Sequence, residues 1–189
     1  MSYATFEDGI GYEGKVTLTL KSDNHVIKSN TFKNNGTNQL FTFLGYCLMD
    51  DYEEARKLLP TKILLLYNGS SNPPTHAKAR NELKIMSQPA SYAQVPSIVT
   101  DAEGVKVTYS FEVPKNLIEG NFNQIGLYGY RIDRAEDFSA YYFLTDSNGG
   151  FAEENVSSWS ATAVLLVEWE LSISNKNVIS SNSREEGAQ

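Results

Sequence analysis

The sequence predicts a mostly β fold, an antiparallel β-sandwich carrying one packed α-helix, and three features point there. Long stretches alternate between apolar and polar residues, Val105 to Val113 and Leu165 to Ile173 most clearly. Period-2 runs of this kind are strands with one face in a core. Turn residues separate six or more strand-like stretches, and a single stretch, about residues 39–49, carries apolar residues at helical spacing instead. Two sheets packed face to face with one helical cover accommodate that pattern.

Residues 1–13 are polar and aperiodic and read as an N-terminal arm ahead of one domain, 14–175. Val16, Leu18 and Leu20 then alternate with Thr17, Thr19 and Lys21. Asp23-Asn24 makes a turn, and Val26 to Phe32 is the returning strand of a hairpin. Asn34-Asn35-Gly36-Thr37-Asn38 breaks that strand and offers helix N-caps. Leu40, Phe43, Leu44, Cys47 and Leu48 follow at i, i+3, i+4, i+7 and i+8, one stripe of a helix that packs on a sheet and sets Cys47 against the core.

Lys62 to Tyr67 (KILLLY) is a continuous apolar run bounded by Pro60 and Asn68-Gly69, the mark of a strand buried on both faces. A long irregular loop, 68–101, comes next, containing Pro73, Pro74, Pro89 and Pro96. Loops of that length in a compact domain usually serve contact or ligand binding. The second half carries strands at Val105–Val113, at Asn123–Ile132 with Gly126 and Gly129 marking a bulge or close approach, at Tyr141–Thr145 and at Leu165–Ile173. A polar turn and loop starting at Asp146 precedes the last of these. Residues 176–189 are a polar, flexible C-terminal tail.

Composition narrows the function classes. A 189-residue chain fits one domain, and its 12% aromatic content, with eleven Tyr and nine Phe, is that of a folded protein. A formal charge of −7 with only sixteen scattered Lys and Arg speaks against a nucleic-acid or membrane-surface partner. One cysteine permits no intrachain disulfide and fits synthesis in a reducing cytoplasm. The first residues lack the basic and apolar segments of a secretory leader, and the longest apolar run, Ala163 to Val167, is too short to span a bilayer.

The inventory for catalysis is thin, and the expectation is a protein that is not an enzyme and holds no cofactor or metal. His25 and His76 lie in a hairpin turn and a Pro-rich loop, and two histidines with one cysteine are short of a zinc set. Asp146-Ser147-Asn148-Gly149-Gly150 fails the calcium-loop pattern because Gly150 stands where an oxygen ligand belongs. The acidic pairs Asp50-Asp51, Glu53-Glu54 and Glu153-Glu154 read as solvated surface, since glycosidase carboxylates must flank a bond about 5 to 10 Å apart. Glu168 and Glu170 share a face of the last strand, either paired with a cation from a neighbouring strand or solvated. The aromatic residues Tyr128, Tyr130, Tyr141, Tyr142 and Trp159 are the candidate interface. Tyr128 and Tyr130 oppose Ile125 and Leu127 in parity. They face a second layer or a partner, or else their strand is buried on both faces.

Gln124-Ile125-Gly126-Leu127-Tyr128, then Tyr141-Tyr142-Phe143-Leu144, a polar loop, and Leu166-Val167-Glu168-Trp169 to Ser174-Asn175 resemble a segment of tailed-bacteriophage tail proteins. In tail fibre attachment and baseplate-associated domains a strand of the form xEIGLY leads to a closing LLVxWxIxFSN strand. Here Gln124 replaces the acidic residue, Arg131 to Phe138 lengthens the following loop, and the central loop has no counterpart. The resemblance implies a non-enzymatic structural subunit of the virion in the tail, baseplate or fibre anchor, partnered by other virion proteins and copies of itself. Head decoration or a neck collar is the nearest alternative. A module binding host surface glycans through Tyr128 and Tyr130 is the alternative of another class.

Overall fold

The alternating segments become strands in the computed structural model of the chain, which describes residues 10–36, 45–49, 53, 60–69, 83–102, 104–129, 140–145 and 152–175. β1 (Ile10–Ser22) and β2 (His25–Gly36) form the expected hairpin. Asp23 and Asn24 at its tip have φ of 49° and 65°, the doubly left-handed turn whose twist matches that of the flanking strands. β1 begins at Ile10, inside the segment read as an arm, and pairs Ile10 to Glu13 with Asn175 to Ser172 of β10 (Val164–Asn175).

β10 is the centre of the first sheet, with β1 on one side and β7 (Gly104–Pro114) on the other. β2 extends that sheet beyond β1, and β6 (Ser97–Thr100) extends it beyond β7. Gly104 opens β7 where an added Cβ would overlap the Ile173 carbonyl oxygen and come within 2.9 Å of Ser174 Cα, so the close strand approach there requires glycine. The second sheet runs β3 (Pro60–Asn68), β8 (Gln124–Gly129), β9 (Ala140–Thr145), with β4 (Leu83–Ile85) and β5 (Ala90–Ser91) sharing the outer edge of β3.

Two devices lace the sheets together. β2 leaves the first sheet after Lys33 and pairs Asn34, Asn35 and Gly36 with Thr145, Leu144 and Phe143 of β9. The Asn-Asn-Gly stretch read as a strand break is therefore the corner by which one strand serves two sheets, and Asn34 is buried there. At the opposite edge Tyr92 bridges Phe111 of β7, and the Ala93 amide donates to the Ser110 carbonyl at 2.7 Å.

The expected irregular loop at 68–101 is thus corrected for 83–100, which hold β4, β5 and β6. Strands of three, two and four residues are too short to show a period, and Pro89 and Pro96 fall between them. Between β4 and β5 the ladder on β3 is completed without a strand. The Met86 amide donates to the Leu65 carbonyl at 2.9 Å, and the Leu65 amide donates to the Ser87 hydroxyl at 3.0 Å.

The core lies between the sheets. Val16 and Leu18 of β1, Phe111 and Val113 of β7, and Leu165, Val167, Trp169 and Leu171 of β10 face Ile63, Leu65, Ile125 and Leu127 of the second sheet. Leu64 and Leu66, of opposite parity, are equally buried, so KILLLY is a strand buried on both faces as expected. The helix is described only as one turn over 45–48, closed by the Met49 amide donating to the Gly45 carbonyl at 3.0 Å. Tyr46 packs against the core and Cys47 is half-buried. Leu48, expected on the apolar stripe, is 87% exposed, so the turn presents Tyr46 inward in its place. Leu40, Phe43 and Leu44 lie outside the described residues.

Candidate functional site

On the core-facing side of β2 the side chains turn polar as the strand approaches the hairpin. Phe32, Asn30 and Lys28 stand opposite Val16, Leu18 and Leu20 of β1, and only Phe32 packs against the core. Above Lys28 the chain 152–163 crosses the end of the sandwich, fixed by backbone contacts: the Glu154 amide donates to the Phe122 carbonyl at 2.8 Å, and a 3-10 turn follows at Val156–Ser158. Between this segment and the hairpin lies a cleft of about 550 Å3.

Its floor is Leu20 and Ala163, and its aromatic wall is Trp159. Trp159 is half-buried and meets Phe122 edge-to-face at 6.0 Å, while its carbonyl accepts from the Lys115 ammonium. Lys28 and Glu154 form an ion pair at 2.6 Å inside the cleft. Glu153 accepts from the Asn121 side-chain amide at 2.7 Å, and the Asn121 side-chain oxygen in turn accepts from the Val156 backbone amide at 3.1 Å. Hydroxyls of Ser22, Ser158 and Ser160 line the rim. The cleft therefore combines an aromatic surface, hydrogen-bonding groups of both kinds and a net negative charge.

Of the five candidate interface residues, Trp159 alone has a described side chain, and it belongs to this cleft. Tyr128 and Tyr141 are register partners across β8 and β9, and Tyr142 follows in β9. The side chains of these three, and the whole of Tyr130, lie outside the described residues. Tyr128 stands some 20 Å along the chain from Phe122, at roughly 3.3 Å per residue, so its position on β8 is apart from the Phe122–Trp159 contact. On β8, Gln124, Ile125, Gly126 and Leu127 are all buried, so both faces of that strand are interior as far as Leu127.

Lys28, Ile27 and Asn121 were not singled out from the sequence. The signal was present for Lys28: in the run to Phe32 it shares parity with a core residue, and a charge on that parity marks where the core ends. His25 is exposed at the start of β2, and His76 lies outside the described residues, as do 146–151 of the acidic turn. Among the described residues no group of three or more His, Cys, Asp or Glu is placed to hold a metal ion.

The outer face of the first sheet is a polar ladder. Thr17 and Thr31 hydroxyls meet at 3.0 Å and those of Thr19 and Ser29 at 2.9 Å. Glu170 takes Lys15 of β1 at 2.9 Å and Lys106 of β7 at 3.3 Å, which selects the paired over the solvated reading for this residue. Glu168 is exposed. Partial burial pushes the Glu170 carboxyl up, and the hydrogen bonds and charges of Lys15 and Lys106 together outweigh it, so the group sits below its ordinary 4.5. A carboxyl held low in the fold contributes stability above its unfolded value and loses it as pH falls through the folded value. The advantage of the wild type over Glu170→Gln is thus expected to be at most about 1 kcal/mol near neutrality. It should vanish below the ordinary carboxylate range and shrink in high salt. Urea midpoints at neutral and acidic pH check this, and a difference that grows on acidification would refute it.

Comparison of the chain with protein-family models, with curated proteins and with solved structures finds no match.

Proposed function

We propose that the chain is a non-enzymatic structural subunit of a tailed-phage particle, in the tail, baseplate or fibre-anchoring region, acting by protein–protein assembly. The particle comes from the resemblance of Gln124–Tyr128 and Leu166–Asn175, segments that lie in β8 and β10. The observation that carries the assembly reading is the end of the sandwich at β6.

There the core-side face of the first sheet outruns its cover. Along β7 and β10 Phe111 and Trp169 are fully buried, Tyr109 and Val107 half-buried, and Val105 and Ile173 are 36% and 42% exposed. Ile98 of β6, opposite Val107, shares this face and is 67% exposed. Among the described residues β6 is also the last strand of its sheet. Short length is one protection against edge-to-edge pairing and charge is another, and Ser97-Ile98-Val99-Thr100 has only the first. An apolar face beside an uncharged strand edge is the surface on which a neighbouring subunit adds a strand and covers side chains at once.

Light scattering on a sizing column tests the reading with the full chain and with Ile98→Lys. Because Ile98 is already exposed, the lysine leaves the fold intact, whereas placing it in an apolar interface costs about 2 kcal/mol or more, roughly thirtyfold in dissociation constant. A discrete oligomer that falls to lower mass in the variant is the expected result. A chain that is monomeric in both forms and does not sediment with phage particles would sink the proposal.

A further inference from the structure

We propose that the cleft between the β1–β2 hairpin and residues 152–163 is a binding site for a neutral saccharide. This is a different surface from the β6 end: Leu165 and Ile173 mark the two places on β10, about 26 Å apart at roughly 3.3 Å per residue. The inference does not rest on the assembly reading.

Size comes first. At about 550 Å3 the cleft lies within the range of small-ligand sites, large enough for one or two sugar rings. Its chemistry is divided as a pyranose is divided. Leu20, Ala163 and Trp159 provide an apolar and aromatic surface for the C–H face of a ring. Around them the Ser22, Ser158 and Ser160 hydroxyls and the Glu153 and Glu154 carboxylates provide the mixed donors and acceptors that ring hydroxyls require.

Charge selects among ligands. Among the described residues lining the cleft Lys28 is the one cation, and it is held by Glu154 at 2.6 Å, so none of them offsets the charge of Glu153. A phosphate, sulfate or sialic acid carboxylate would enter a net negative site and meet no free ammonium. A neutral sugar meets no such penalty and finds oriented carboxylate acceptors, which make the stronger hydrogen bonds.

The walls are also set in advance. Asn121 fixes Glu153 and the Val156 amide together, Phe122 anchors Glu154 through the backbone, and the Ser158 hydroxyl donates to the Asn155 carbonyl at 2.7 Å. A ligand entering such a site orders little of the protein, so weak individual contacts suffice for measurable affinity.

The two tryptophans make the test direct. Trp169 is fully buried between the sheets, and Trp159 is half-buried in the cleft, so a ligand in the cleft perturbs only the second. The full chain is titrated with cellohexaose, maltohexaose, chitohexaose and N-acetyllactosamine up to about 10 mM, a range that reveals even millimolar affinity. Sialyllactose and spermidine serve as anionic and cationic comparisons. The expected result is a saturable emission change with at least one neutral sugar; in Trp159→Ala, which lacks the reporting ring, titration calorimetry should show the same sugar bound about tenfold more weakly through loss of the ring contact. Binding should be abolished in Ser158→Arg, which fills the cleft from an exposed rim position and, at the loss of one exposed hydrogen bond, still unfolds cooperatively in urea. No saturable change with any neutral sugar, a change that survives Ser158→Arg, or binding confined to sialyllactose or spermidine would each overturn the proposal.

Discussion

Replacing Trp169 with alanine is expected to remove about 3–5 kcal/mol of unfolding free energy, the usual cost of emptying a large aromatic site in a core. The residue sits on the central strand of the first sheet, between Val16 of β1 and Tyr109 of β7, and is fully buried. Both neighbouring strands are pinned to β10 along most of their length, which limits how far the space can close. Domains of this kind hold about 5–15 kcal/mol in total, so the variant should be marginal at 37 °C. With a urea slope of roughly 2 kcal/mol per molar, the midpoint should fall by about 2 M with the slope unchanged. Glu168→Ala, one residue earlier and on the exposed face, should lie within about 0.5 kcal/mol of wild type. Equal effects at the two positions would mean that the alternation in β10 does not sort its side chains between core and solvent.

That alternation is also why the central strands were legible. Val16 to Leu20, Val105 to Val113 and Leu165 to Ile173 repeat with period 2 for long enough that only a half-buried strand explains them, and KILLLY is long enough to need two covered faces. What escaped the sequence is what period cannot encode. β4, β5 and β6 are too short for a pattern, and β4 and β5 pair back onto β3 across an intervening stretch, whereas β6 turns directly into its partner β7. Asn34-Asn35-Gly36 has the composition of a break, yet tertiary pairing with β9 overrides it. Leu48 satisfied the helical spacing and still faces solvent, since a stripe of five positions cannot say how far the covering sheet extends. In the cleft, the aromatic member Trp159 stood out by residue type. Lys28 did not, because its meaning depends on Glu154, which lies across the end of the sandwich.

Ser87→Ala tests the least legible part of the fold, the edge where the two sheets are joined. The serine is 3% exposed, and its hydroxyl oxygen accepts the Leu65 amide at 3.0 Å, in the gap that β4 and β5 leave on β3. Removing one oxygen creates almost no cavity, so packing alone predicts a small effect. The stranded amide predicts more: a buried donor without an acceptor costs about 1–3 kcal/mol. Ser87→Thr retains the hydroxyl and should recover most of the loss. Hydrogen exchange should also place the damage. Leu65 amide protection falls first, followed by that of Ala93, whose bond to Ser110 closes the same edge just past β5, while amides of β1 and β10 keep theirs. Uniform loss of protection would instead mean that the lacing segment 86–93 and the two sheets open only together, and that closure at this edge is part of the global folding unit.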